Sequence, residues 1–252
     1  MNKKATELGL INTHFVTPHG LDDPKHYTTA YELALLTDYA LKNEQFAKIV
    51  NTKTKTILIN GQQRELYNTN ELLGNLNGVN GVKTGFTNNA GRCLVCSCIR
   101  DDMNIISVVL GADTKKFRTK DSIEIIEYTY ANYEKVKLGE IIKKEFEEWQ
   151  QEFQTNLFIE KGKEQNLKIE WNNPYQEFPI KKEEKVRIEI QAKDRFIAPV
   201  AENTYIGKIN IFVGKEKIDE IDLVASEGMK RKDVWDYFKE IMKTYVFTIQ
   251  QG

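Results

Sequence analysis

The stretch Val79-Asn80-Gly81-Val82-Lys83-Thr84-Gly85-Phe86 decides the architecture of the first half of this chain. It reads as an apolar strand, and two more apolar runs follow at short intervals, Cys93 to Ile99 and Ile105 to Gly111. Three such runs separated by brief polar gaps predict an antiparallel meander. Within the first run, Lys83-Thr84-Gly85 places an ammonium, a hydroxyl and a residue without a side chain in succession. A peptide can lie along a strand edge and pair with its backbone where a glycine leaves room. The lysine and threonine beside it can hold a carboxylate and support proton transfer.

Outward from this meander, the elements are mostly helical on both sides. Residues 1 to about 9 read as an amphipathic helical segment, with Ala5 and Leu8 on one face and Gly9 as the stop. Asn12 to Pro24 is rich in turn formers and reads as an ordered loop. Thr28 or Thr29 caps a helix whose Leu33, Leu36, Ala40 and Leu41 are spaced for one buried face. Thr52 to Ile59 alternates as a strand, Leu66 to Leu76 connects, and Asp121 or Ser122 opens a helix carrying Ile123, Ile126 and Tyr130.

From about Val136 the texture changes to short β-branched runs such as Val186 to Ile190 and Ile209 to Val213, separated by charged turns. This pattern predicts a small β-sandwich or sheet domain. Ile141, Ile142, Phe146, Trp149 and Phe153 have spacing closer to a helix, but the surrounding texture assigns that segment to a strand. The fold expected is α+β, with domains at 1–135, 136–226 and 227–252, the last an amphipathic helix.

Composition narrows the function classes. The chain has 252 residues, with Lys+Arg 36 against Asp+Glu 37 and a formal net charge of -1. Nucleic-acid binding, which normally needs a basic excess, is disfavoured. No apolar run approaches the roughly 18 residues of a membrane-spanning helix. The start is polar and lacks the apolar core of a secretory signal. Three cysteines, Cys93, Cys96 and Cys98, are too close together for a disulfide framework and read as small core hydrophobes on an apolar strand. His19, Asp22, Asp23 and His26 have metal-ligand chemistry, but their setting reads as a hydrogen-bonded loop, so no metal is expected.

Lys-Thr-Gly is one of three motifs of serine acyl-transferases of the penicillin-binding and class A β-lactamase type, in which Ser-x-x-Lys supplies the nucleophile. The surrounding segments sharpen the match. Asn12 to Phe15 with Pro18 to Asp22, Tyr31 to Ala34, Asn68-Thr69-Asn70, Gly78 to Gly85 with Ala90-Gly91, and Ile106 to Ala112 closely resemble the D-alanyl-D-alanine carboxypeptidases of the low-molecular-mass penicillin-binding proteins. The resemblance covers residues 1 to about 133 almost continuously. Ala198-Pro199-Val200, Gly207-Lys208-Ile209 and Ile221 to Ala225 are similar to that family's C-terminal β domain.

The resemblance implies an incomplete penicillin-binding-type domain, an antiparallel sheet with helices, followed by a small all-β domain. It implies a serine hydrolase of peptidoglycan maturation, located outside the cytoplasm, that removes terminal D-alanine from pentapeptide through an acyl-enzyme with an oxyanion hole and no cofactor. Lys83 takes the catalytic position, and Lys83, Thr84 and Gly85 line the substrate cleft. Arg118 matches a family arginine for the terminal carboxylate, a task suited to a planar, permanently charged guanidinium. By itself Arg118 reads as a solvated arginine at a helix start.

One departure bears on activity. None of the four serines, Ser97, Ser107, Ser122 and Ser226, has a lysine three residues later, and no Ser-x-Asn occurs. Tyr130-Ala131-Asn132 mimics a variant of the second motif but follows Lys-Thr-Gly, so it reads as helix surface. In the family both missing motifs precede the segment that begins here, so the chain reads as a member lacking its N-terminal part and inactive alone. β-Lactams are expected to bind only if that part is restored. A non-catalytic cell-envelope module is the competing reading, while a β-lactamase would leave the β domain unexplained.

At the other end, Val234, Trp235, Phe238, Ile241, Met242 and Tyr245 fall on one helical face, with Asp236, Lys239, Glu240 and Lys243 on the other. Such a helix suits a membrane interface, and the resemblance implies a peripheral anchor on the outer face of the cytoplasmic membrane. A helix docked on the β domain would show the same stripe.

Overall fold

A computed structural model describes residues 1–249, with backbone only for 244–249. The chain divides into two compact units, Met1–Asn132 and the remainder from Tyr133.

The first unit opens with α1 (Asn2–Glu7), which buries Ala5 and ends at a left-handed Gly9. A loop follows, and α2 (Ala30–Leu41) begins where the Thr29 hydroxyl accepts from the Glu32 backbone N–H. The apolar face expected of α2 is corrected by the structure. Leu33, Leu36, Ala40 and Leu41 are only half-buried, and the fully buried positions are Glu32 and Thr37. Glu32 is buried because it ties down the loop. Its carboxylate accepts from the Asn12 backbone N–H at 2.8 Å, from the Asn12 amide at 3.2 Å and from the Thr13 hydroxyl. A buried carboxylate persists only with such donors.

After α3 (Glu44–Val50), β1 (Thr54–Ile59) and β2 (Gln62–Tyr67) form a hairpin exposed along nearly its whole length. Its turn is Asn60-Gly61, both left-handed, the geometry of a type I′ turn. The stretch up to Leu66 therefore includes a second strand that was not expected.

The meander forms as anticipated: β3 (Val79–Thr87), β4 (Gly91–Arg100) and β5 (Met103–Ala112) pair antiparallel in that order. The helix α4 (Lys115–Asn132) starts well before the expected Asp121 or Ser122, because Thr114 caps it. The Thr114 hydroxyl accepts from the Phe117 N–H at 3.1 Å. Ile126 packs with Leu72, Leu73, Val79, Leu94, Cys96 and Cys98 in the core of this unit. Cys96 and Cys98 are fully buried and Cys93 half-buried. Burial pushes the Cys96 thiol up to about 12. Tyr130 is not simply helix surface. It is half-buried, with its hydroxyl 2.7 Å from the Cys98 carbonyl and 2.9 Å from that of Met103, tying α4 to the sheet.

The second unit is built on β6 (Tyr133–Val136), α5 (Leu138–Asn156), β7 (Phe158–Glu160), β8 (Ile169–Glu170), β9 (Phe178–Lys181), β10 (Val186–Ala192), β11 (Arg195–Ile197), β12 (Tyr205–Val213), β13 (Glu216–Ala225) and α6 (Val234–Ile249). Its main sheet runs β10-β12-β13-β8, all antiparallel. The strand expected over Ile141 to Phe153 is a helix instead. These residues are on α5, where Ile142, Phe146 and Phe153 recur at helical spacing into a core shared with Ile209, Ile211 and Leu223.

At the start of α6, Asp233 and Asp236 exchange hydrogen bonds between each side chain and the other's backbone N–H, at 2.9 and 3.0 Å. Lys163 bridges both carboxylates at 3.2 and 2.9 Å. Beyond this clamp, Val234, Trp235, Phe238, Ile241 and Met242 are exposed. The side chain of Tyr245, assigned to the same stripe, lies outside the described residues.

Candidate active-site cleft

β3 is the edge strand of its sheet, so its outer side is open to an extended partner. The Lys83 ammonium folds onto the Thr84 carbonyl at 2.5 Å. Thr84 is nearly buried, and its hydroxyl lies 2.6 Å from that of Thr69. Gly85 is not required by the protein's own packing. A β-carbon there would meet only Cys93 Cβ, at an ordinary 3.8 Å. Any need for glycine at this position comes from whatever approaches the strand from outside.

Thr69 is held by asparagines on both sides. The Asn68 side-chain amide donates to the Val50 and Thr52 carbonyls, both at 3.1 Å, and its oxygen accepts from the Asn70 N–H. The Asn70 amide donates to the Gly81 carbonyl at 2.7 Å, and its oxygen accepts from the Leu72 N–H. Five side-chain bonds thus fix a short loop against β3, with Thr69 between the two anchors. The sequence showed Asn68-Thr69-Asn70 as a motif but gave Thr69 no partner.

Arg118 enters the same region from the first turns of α4. Its side chain is 4% exposed, its Nη2 lies 3.7 Å from the Glu71 carboxylate, and its Nε has no partner among the described residues. Glu71 Oε2 also accepts from the Thr119 hydroxyl at 3.1 Å. The solvated-arginine alternative does not hold. This guanidinium is buried, has an acidic neighbour beyond hydrogen-bond range, and keeps a free donor. Burying a charged group is costly unless it is paired, and Glu71 pairs this one only loosely.

Lys83, Thr84, Gly85 and Arg118 all line one cleft of about 1260 Å³. The loop holding His19, Asp22, Asp23 and His26 forms part of its wall. These polar groups are tied up within the loop or to its neighbours. Asp23 accepts from the Lys25 N–H at 2.7 Å, Asp22 from the Asn89 N–H at 3.4 Å, and His26 Nδ1 from the Val16 N–H at 3.4 Å. Among the described residues no cluster of three His, Cys, Asp or Glu is placed to hold a metal ion. None of the serines lines the cleft, and Ser97, Ser107 and Ser122 are buried in the sheet and helix core.

Comparison with known proteins finds relatives for both parts of the chain. Residues 1–114 match the family model of D-alanyl-D-alanine carboxypeptidases, and residues 150–231 match the C-terminal domain of penicillin-binding protein 5. Both parts of the chain are thus similar to parts of D-alanyl-D-alanine carboxypeptidases. It is 31% identical over 245 residues to the carboxypeptidase DacF of Bacillus subtilis, covering 96% of this chain and 61% of that protein. It is 41% identical over 138 residues to DacC of Escherichia coli, covering 54% of this chain and 34% of that one.

Among solved structures, penicillin-binding protein 5 of Haemophilus influenzae aligns with a TM-score of 0.66 at 28% identity, over 91% of this chain and 64% of that one. The carboxypeptidase DacD of Francisella tularensis shares the fold, with a TM-score of 0.68 at 23% identity over 92% and 67%. The chain thus spans about three-fifths of the length of its full-span family relatives. Both units of this chain have counterparts in the family, and Lys83, Thr84 and Gly85 lie inside the carboxypeptidase match, with Arg118 just beyond it.

Proposed function

We propose that this chain carries the carboxylate-binding half of a serine-type D-alanyl-D-alanine carboxypeptidase that trims cell-wall peptides outside the cytoplasm. The observation that carries this reading is the convergence of Lys83, Thr84, Gly85 and the buried, incompletely paired Arg118 on one cleft beside an open strand edge. A peptide ending in D-Ala-D-Ala pairs with the outer edge of β3, its terminal carboxylate taken by Arg118 and the Thr84 hydroxyl. The Lys83 ammonium sits where it supports proton transfer to and from a nucleophile. Acylation needs a serine activated by a neighbouring lysine, and no Ser-x-x-Lys is encoded in this chain.

Two measurements test this together. Fluorescent penicillin, followed by intact mass, leaves the chain unlabelled, and it labels a chimera that joins the chain to a family segment bearing Ser-x-x-Lys and Ser-x-Asn. In that chimera Lys83→Ala lowers kcat/KM for D-alanine release by about 10²-fold or more. A labelled serine in the chain alone, or a chimera indifferent to Lys83→Ala, contradicts the proposal.

The same reading includes peripheral association with a membrane surface through α6. The row of exposed apolar residues on a capped helix supports it, and among the described residues no helix is long and apolar enough to cross a bilayer.

A further inference from the structure

The cleft holds a second guanidinium that carboxylate recognition at the peptide terminus does not use. Phe86 and Arg92 face each other across the β3–β4 ladder, and both line the cleft. The Arg92 guanidinium carbon lies 3.6 Å from the Phe86 ring centroid. Stacking of this kind occupies the flat face of the guanidinium and leaves the N–H groups around its edge free for a carboxylate. Arg100, Arg118 and Arg187 each have an acidic neighbour, in Glu127, Glu71 and Glu189. Arg92, like Arg64, Arg195 and Arg231, has none among the described residues, and of these four Arg92 alone lines the cleft. The two aspartates of the cleft wall, Asp22 and Asp23, accept from backbone N–H groups, and Lys83, Lys115 and Arg118 add to the cationic character of the cleft.

Position along the strand gives this pair a meaning. Phe86 lies three positions beyond Lys83, about 10 Å of extended backbone. A peptide running along the β3 edge with its terminal carboxylate near Lys83 and Arg118 therefore brings a residue two or three places back from its end beside Phe86 and Arg92.

We propose that Phe86 and Arg92 form a second anion subsite, selecting peptides that carry a further carboxylate two or three residues before the C-terminal one. The phenyl ring packs against the aliphatic stem of that acidic residue, and the edge of the guanidinium takes its carboxylate. This inference rests on the cleft being a peptide site, as argued above.

The test uses the full chain and four peptides ending in D-Ala-D-Ala, with either Glu or Gln at the internal position and either a free or an amidated terminus, followed by calorimetry. Wild type binds the Glu peptide about 3- to 10-fold more tightly than the Gln peptide, the size of a half-exposed charge-assisted pair. Arg92→Gln abolishes that preference and leaves the preference for a free terminus intact. Arg92→Lys, which keeps the charge without the planar fork, retains part of it. Equal affinity of wild type for Glu and Gln peptides overturns the subsite, as does a preference that survives Arg92→Gln. A preference for Glu that depends on Arg92, found without any preference for a free terminus, upholds the subsite and overturns the terminal-carboxylate reading. Binding of none of the four peptides overturns both.

Discussion

The Thr84 hydroxyl lies 2.6 Å from the Thr69 hydroxyl, in a loop that Asn68 and Asn70 pin to β3 and its surroundings. One hydrogen of this pair serves their mutual bond, and both residues line the cleft. Thr69 is in this sense a positioning residue for Thr84. Thr69→Val weakens binding of a D-Ala-D-Ala peptide by about 2- to 10-fold, the usual net worth of one hydrogen bond, and Thr69→Ser restores it. A serine variant as weak as the valine would assign the effect to packing of the methyl group instead.

Glu32 links α2 to the loop that walls the cleft. Burial works to raise its pKa, but the Thr13 hydroxyl and the Asn12 backbone and side-chain donors outweigh it and hold the carboxyl below its ordinary 4.5. A group whose pKa is depressed in the folded state adds stability above its unfolded pKa, and that stability fades as pH falls through the folded value. Glu32→Gln therefore lowers the melting temperature of the first unit at pH 7, and the gap to wild type narrows below about pH 4.5. A gap that stays constant down to pH 2 would show that the charge of Glu32 plays no part.

The exposed face of α6 gives a separate expectation. The intact chain sediments with anionic liposomes, and deletion of residues 233–252 removes that binding. Raised salt weakens it only in part, because apolar burial and charge both contribute. Binding that survives the deletion, or an intact chain that stays in solution, rules out an interfacial role for this helix.

The meander was legible because Val79 to Phe86, Cys93 to Ile99 and Ile105 to Gly111 are apolar runs bounded by turns, and strand pairing in a meander is local. The adjacent Asn60-Gly61 signal is equally local, yet Gln62–Tyr67 carries no apolar run because its residues are mostly polar and all exposed. On α5, the helical spacing of Ile142, Phe146 and Phe153 was visible but was outweighed by the β-rich texture on its C-terminal side. The true start of α4 was obscured by Lys115, Lys116 and Arg118, which carry no apolar period, while the capping Thr114 sits just before them.

At the cleft, Lys83-Thr84-Gly85 was readable as a motif and Arg118 through family resemblance. That Arg118 is buried and that Thr69 meets Thr84 were not readable. Both facts depend on contacts between segments far apart in sequence, 15 residues for Thr69 and Thr84 and more for Glu71 and Arg118.

The measurement closest to the central claim is a calorimetric titration of the chain with a D-Ala-D-Ala peptide as free acid and as C-terminal amide, repeated for Arg118→Gln. A charge-assisted bond to a buried guanidinium is worth roughly 1.5–3 kcal/mol. Wild type is expected to prefer the acid by about 10- to 100-fold, and Arg118→Gln to lose that preference while binding the amide as before. Equal affinity of wild type for acid and amide, or an acid preference untouched by Arg118→Gln, would contradict the account.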